Sequence, residues 1–427
     1  SKVKTRLTAG HIDRFFSRWP TPNRIGSMLR ILLVIALALG GLFVWQTRTG
    51  RTPWTQEMLL TGTAVPIDGD SFRLNGREVR LKGIDAPEYS QALEAAAQDP
   101  RFSQFYATPN QINPALNGVF DGTFRFTANY RELYSSILSK DAFRTFAAGV
   151  EFRNKVGRSG DYYGLSLSAL RDDVGISNFN RFHAHVGGSY LKQLSGSRYR
   201  NSDQYLIAGA QIGAGQRGFD WGRLWFSNQF NSSQAFVDYG SASGEDFQRR
   251  ETNIFLDFNA GLLWYAIFDK NASVYAGGAL HHINEPNISF VETRDEVLHR
   301  KWVGHAGGEI PFSDQLSLLP AVAVMGQHKG MSAALGANVR YTNRDWKEIA
   351  VRAGAWAHVV NRLDQGMHLD AIAVTTVLEM ERWNLGLSYD VTTSILSAAN
   401  NSRGAFEMSF IYVQPSQQRF KVSCPRF

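Results

Sequence analysis

The chain has 427 residues, 44% hydrophobic and 12% aromatic, with a formal net charge of +7 and a single cysteine. That is enough apolar surface for a core or a lipid-facing wall, so disorder is excluded as the starting point; one cysteine, Cys424, excludes an intrachain disulfide framework and a cysteine-rich metal centre. The positive charge is concentrated in the first 51 residues, where Lys2, Lys4, Arg6, Arg14, Arg18, Arg24, Arg30, Arg48 and Arg51 face only Asp13, and the near-neutral remainder predicts no nucleic-acid surface.

Residues 1–27 form a basic segment ahead of an apolar run, MLRILLVIALALGGLFVWQ (28–46). With Arg30 snorkelling, the run is long enough to anchor in a bilayer, and the basic flank puts the N-terminus in the cytoplasm. The charged QTRTGR that follows lacks the small residues a signal peptidase needs, so an uncleaved anchor is expected. A cleavage-like AAA (95–97) stands before Gln98, displaced some fifty residues from any apolar run that should precede it.

Section 47–91 contains VPIDGDSFRLNGREVRLKGIDAPEYSQ, two short alternating runs around Asn75-Gly76 that predict a hairpin, then an acidic turn. With its DGD turn, its arginine in VRL and its D-x-P-E turn, this stretch resembles the start of the staphylococcal-nuclease (thermonuclease) family. The resemblance implies Asp70 and Asp85 as ligands of a hard cation such as calcium, Arg80 as a phosphate clamp and Glu88 as the base that activates water. It stops at Gln91, before the family's remaining strands and second arginine, and a three-strand fragment cannot bury a core alone. No nuclease activity, bound metal or cofactor is therefore expected. Residues 92–97 read as the junction of a fused or mis-assembled N-terminal section, a natural fusion being the other reading.

After a segment at 98–122 the pattern changes to period two and keeps it through 123–413, followed by a tail, 414–427. Phe124, Phe126, Ala128 and Tyr130 alternate with Arg125, Thr127, Asn129 and Arg131; Phe182, Ala184 and Val186 with Arg181, His183 and His185; Leu256, Phe258 and Ala260 with Asp257 and Asn259; Leu385 and Leu387 with Asn384 and Ser388. About fourteen such strands, starting near 123, 144, 162, 181, 204, 253, 272, 300, 315, 331, 348, 366, 382 and 404, have the length a tilted strand needs to cross an outer membrane. Connections after odd strands include the long segments 131–143, 214–252 and 283–299, those after even strands are mostly tight, and Trp264, Trp302, Trp346 and Trp383 suit interfacial girdles. The expected fold is an all-β transmembrane barrel of about 14 antiparallel strands, preceded by the anchor helix and the hairpin fragment.

Over 98–427 the motifs QDPRFSQFYATPNQINPALNG, NYR, RDDVG, LWFSNQF, LSYD and the terminal CPRF resemble the PorP/SprF family of the Bacteroidetes type IX secretion system. The resemblance implies a non-enzymatic outer-membrane barrel for protein secretion and gliding motility, with secretion components, secreted cargo or adhesins and a periplasmic, peptidoglycan-linked protein as partners besides membrane lipid. It also implies that Gln98 begins the mature chain. An anchor kept in the inner membrane contradicts that destination, and function is read from the barrel. A small-solute porin is the alternative, since polar inward faces suit a water-filled lumen; an anchored metal-dependent nuclease is the second.

The longest connection carries Phe219, Trp221, Trp225, Phe226, Phe230 and Phe236 among Arg217, Arg223, Arg249 and Arg250, the aromatic and arginine composition of protein interfaces. Two readings stay open: its outer part binds cargo, or it folds inward as a plug. His183 and His185 share a face but lack an evident third ligand, and so read as lumen-lining polarity. Adjacent His281 and His282 are expected on opposite faces, Asp172 and Asp173 in a solvated turn, Cys424 in a free tail, and Gly187-Gly188 and Gly277-Gly278 at bends in curved strands.

Overall fold

The computed structural model describes residues 64–66, 71–74 and 77–80 and, with short internal gaps, residues 99–415. The anchor-like run 28–46, Asp70, Asp85, Glu88 and the tail from 416 with Cys424 lie outside the described residues. Ala64–Pro66, Ser71–Leu74 and Arg77–Arg80 pair as a three-stranded antiparallel sheet, which matches the expected hairpin and puts Arg80 at a strand end opposite Ser71. Among the described residues no helix is long and apolar enough to cross a membrane.

Fourteen strands close into one antiparallel barrel: β1 (Phe124–Leu133), β2 (Phe143–Lys155), β3 (Tyr162–Val174), β4 (Phe179–Ser197), β5 (Arg200–Gly218), β6 (Phe255–Asp269), β7 (Ala272–His281), β8 (Lys301–Pro311), β9 (Leu316–Gln327), β10 (Gly330–Thr342), β11 (Ala350–Arg362), β12 (Gly366–Glu379), β13 (Trp383–Thr392) and β14 (Arg403–Gln414). Each strand pairs with its chain neighbours, and β14 closes on β1, with Ser409 opposite Asn129. The longest connections, 219–254 and 282–300, follow odd strands and so share one end; short connections at 312–315 and 380–382, after even strands, mark the other. The period-two pattern explains the faces. Phe182, Val186, Leu256, Leu262 and Leu387 are exposed on the outside, where lipid replaces water, while Arg125, Asn129, His185, Asp257 and Ser388 are buried inside. Outward Trp302 and half-buried Trp383 stand near opposite ends of the wall; Trp346 lies outside the described residues.

The interior holds a segment of the chain packed on the wall, where polar faces alone suggest a water-filled lumen. Residues 99–122 run through it as a chain of short turns: Phe105–Ala107 and Pro114–Leu116 as 3-10 turns, Pro109–Ile112 as one α turn. The prolines at 109 and 114 start their turns, where a missing N–H costs nothing, and the Asn113 side chain caps the second by accepting from Ala115 N–H at 2.8 Å. Phe105, Tyr106, Ile112, Leu116 and Val119 pack against wall residues Tyr162, Leu191, Tyr205, Ile207, Leu263, Tyr265 and Trp356. Phe105 and Tyr106 contact Trp356 at 5.4 and 5.5 Å between ring centres. The apolar inward residues of β3 to β8 near the tight-turn end are thus the plug's seat, not an exception to the pattern.

The faces are open to a direct test. Leu387→Arg, aimed at lipid from mid-strand, is expected to cost about 2–4 kcal/mol in urea unfolding of the protein in lipid vesicles, whereas Ser388→Arg should leave lipid contact unchanged and act only through interior packing. Equal tolerance of a charge at Leu387 and at a loop position such as Asp314 overturns the assignment of faces.

Candidate functional site

Three polar clamps fix the plug to the wall. At the tight-turn end Arg125 on β1 makes a bidentate pair with Glu151 on β2, at 2.9 and 2.7 Å, and also donates to the carbonyls of Val119 and Leu116. Glu151 accepts from Gly118 N–H at 3.0 Å, so one buried ion pair neutralises itself and satisfies the plug backbone together. Nearer the long-loop end Glu407 on β14 accepts from the Ser103 and Gln104 backbone N–H groups at 2.7 and 2.9 Å and from Asn129 Nδ2 at 3.1 Å. Arg131 pairs with Glu407 and Asp390 and donates to the Ser103 hydroxyl, which itself donates to Asp390 at 2.6 Å.

The third clamp is at the long-loop mouth. His282 donates from both ring nitrogens, to Asp257 at 2.8 Å and to plug residue Asp99 at 2.8 Å; Lys301 also reaches Asp99 at 2.9 Å. Burial works against a charged imidazole, but the Asp99 carboxylate and the Asp257 hydrogen bond outweigh it and lift His282 to about 9. Burial equally disfavours the Asp99 carboxylate, yet His282 and Lys301 hold it well below the usual range. Asp257 also accepts from His185, at 2.8 Å, and His183 stacks on His185 with ring centres 6.1 Å apart.

Small wall residues admit the plug. A Cβ on Gly209 would stand 2.3 Å from the carbonyl oxygen of Pro114, and one on Gly261 2.0 Å from Asn113 Oδ1. Such contacts involve backbone or a fully engaged amide, since Asn113 Nδ2 already bonds the Leu262 and Gly278 carbonyls. Gly187 and Gly277 are likewise pressed by neighbouring strands, whereas Gly188 faces open space.

Above the plug, a cavity of about 120 Å³ is lined by Asp99, Arg101, Arg131, Arg181, Lys301 and Asp370, and Arg101 closes it with an ion pair to Asp370 at 2.5 Å. The long connections meet around this mouth. Phe219 packs edge-on against Phe290 of the β7–β8 connection at 4.7 Å, and Arg223 approaches Asp141 of the β1–β2 connection at 3.7 Å and Asp220 at 3.2 Å. Of the other expected binding residues, Phe230 pairs with Val237 in a two-residue ladder, and Trp221, Trp225, Phe226, Arg249 and Arg250 lie outside the described residues. The two open readings of this loop therefore divide differently from the expectation: the plug is 99–122, and the described loop residues meet other loops.

Three placements correct the sequence reading. Arg217 belongs to β5, not to the loop; it is buried, and its Nε and Nη2 find no hydrogen-bond partner among the described residues. Asp172 and Asp173 sit in β3, not in a solvated turn: Asp172 is buried and accepts from Arg181, directly across on β4, at 2.9 Å, while half-buried Asp173 pairs with Arg171. His281 and His282 both turn inward, because His282 leaves the strand with φ +55 and so breaks the alternation. His281 reaches the Ile112 carbonyl of the plug at 3.2 Å. Sequence reasoning missed Glu151, Glu407, Asp99 and Asp390 as plug anchors, although inward parity of the strand acids was a usable signal.

Residues 94–412 match the family model described as type IX secretion system membrane protein PorP/SprF. Solved barrels with a similar course include the toluene transporter TbuX of Ralstonia pickettii (10% identity, 71% of this chain and 92% of that one, TM-score 0.37) and the monoaromatic hydrocarbon channel CymD (11%, 73% and 94%, 0.37). Another is Salmonella typhi OmpF in complex with daunomycin (7%, 68% and 98%, 0.29). Scores this low say nothing of substrate or partner. A search of curated proteins gives no match.

Gly209→Val is expected to cost about 1–3 kcal/mol and to expose the plug to protease in detergent, whereas Gly188→Val should do neither. Glu407→Ala, which strands two plug N–H groups and removes one of the two carboxylates paired with Arg131, is expected to cost about 3–5 kcal/mol by denaturant unfolding.

Proposed function

This chain belongs to the PorP/SprF family of type IX secretion system membrane proteins, and on that premise we propose that it is an outer-membrane barrel that binds secreted cargo or an adhesin at its long-loop mouth and does no covalent chemistry. The observation that carries the reading is the filled lumen. A segment held by Glu151, Glu407 and Asp257 through His282 occupies the lumen, which favours the mouth and its loops as the surface for recognition. A solute porin needs the opposite arrangement.

The chemistry of the mouth fits a protein partner. Phe219 and Phe290 form an aromatic pair at the base of the longest loop, and Arg223 on the same loop has an exposed side chain. Trp221, Trp225, Phe226, Phe230, Arg249 and Arg250 extend that composition along the same connection. Opposite, the short connections and the C-terminal end of β14 face the side on which a peptidoglycan-linked protein and other secretion components would be met.

Planar-bilayer conductance and surface retention of cargo test this together. The intact protein is expected to show no steady conductance, deletion of 101–120 to open a pore, and shortening of 231–246 to reduce cargo retention with the pore still closed. A steady conductance of the intact protein would sink the reading in favour of a channel; unchanged retention after the loop is shortened would move the cargo surface elsewhere, the tail ending in CPRF first.

A further inference from the structure

We propose that His183, His185 and Asp257 form a buried binding site for a divalent transition cation of the zinc class. The two histidines are two residues apart on β4 and so share its inward face, and Asp257 lies on β6. Between them runs β5, and the register places Gly213 opposite both His185 and Asp257, and Gly215 opposite both His183 and Phe255. These glycines let side chains from β4 and β6 meet over an intervening strand. A Cβ on Gly213 would stand 2.3 Å from the His185 ring, and one on Gly215 3.0 Å from His183 Nδ1. As a result one ligand atom from each of the three residues lies within 4.8 Å of the others, and all three residues are buried.

Donors around a tetrahedral zinc ion stand roughly 3.3 Å apart when each is about 2.0–2.1 Å from the metal. The His185–Asp257 contact at 2.8 Å has only to open slightly, and the His183 ring to turn toward it, for that spacing to be reached. The donor set, two imidazoles and one carboxylate, selects for zinc, cobalt or nickel and against calcium or magnesium, which take all-oxygen shells. An outer shell is already built: Asp257 Oδ1 contacts His282 Nδ1 at 2.8 Å, and Asn259 Nδ2 stands 3.4 Å from Oδ2. A bound cation would replace the proton shared between His185 and Asp257 and cross-link β4 to β6. Through His282 and Asp99 it would also brace the top of the plug.

The test uses the whole purified protein in detergent, stripped with chelator, and titrated with Co²⁺ as a spectroscopic probe, then with Zn²⁺ and with Ca²⁺. The expected result is one Co²⁺ per chain, with the visible d–d bands of a low-coordinate N/O site, displacement by Zn²⁺ and none by equimolar Ca²⁺. His183→Gln, which keeps the size and polarity of the side chain, and His185→Ala should each weaken binding at least tenfold, while His368→Ala at the exposed β12 end should not. Folding of each variant is read separately from its heat-dependent gel shift. If His185→Ala misfolds, His183→Gln and the wild-type titration still decide. The proposal is overturned by the absence of stoichiometric Co²⁺ binding to folded wild type, by octahedral spectra that Ca²⁺ abolishes, or by binding that His183→Gln leaves intact.

Discussion

The fold depends on satisfying charge in a closed interior. Fourteen strands enclose a space in which Arg125, Arg131, Glu151, Asp257 and Glu407 are almost fully buried, and a buried ion left alone costs several kcal/mol after relaxation. Wall partners meet part of that demand: Arg340 and Arg352 share Glu379, and Arg181 takes Asp172. The plug meets the rest with its own backbone. Its turns are too short to use their N–H groups internally, so Ser103, Gln104 and Gly118 offer them to Glu407 and Glu151. Neither partner is well satisfied without the other, which makes the segment part of the barrel's core and not a loose terminal extension.

The same constraint sets where small residues are needed. The plug backbone passes the wall at van der Waals distance at Gly209, and Asn113 at Gly261; Gly213 and Gly215 let β4 and β6 side chains meet above β5. Bulky residues return where the plug presents Phe105, Ile112 and Leu116, against Ile207, Leu263 and Trp356. Buried charge lies at both ends of the interior: Asp99, His282 and Lys301 under the long loops, and Arg125 with Glu151 and Arg340 and Arg352 with Glu379 near the short connections.

The two rims of the barrel differ: the Phe219–Phe290 pair and the longest connections stand at one end, short connections at the other. The first described plug residue, Asp99, is held at the long-loop mouth by His282 and Lys301, so the plug and the loops share one electrostatic network. A partner that altered the loops would act on groups in contact with the plug.

The sequence by itself determined the wall. Alternation in stretches such as Phe124 to Arg131 and Leu385 to Ser388 reveals strand positions and faces because a barrel strand touches two different solvents, and the expected starts at 162, 272 and 366 coincide with β3, β7 and β12. The weakest placements were at strand ends: β5 begins at Arg200 and not near 204, and runs on to include Arg217, because pairing with β4 continues into what reads as loop. Tertiary structure alone decided what fills the lumen and what meets there. The segment 99–122 has no period, so nothing local says that it lies inside; His282 escapes alternation through one left-handed residue; and the approach of Asp257 to His183 and His185 depends on the register of three strands and on glycines in the middle one. Periodicity is a property of one strand and its solvent, whereas a cluster is a property of the closure that brings separate strands to a common interior.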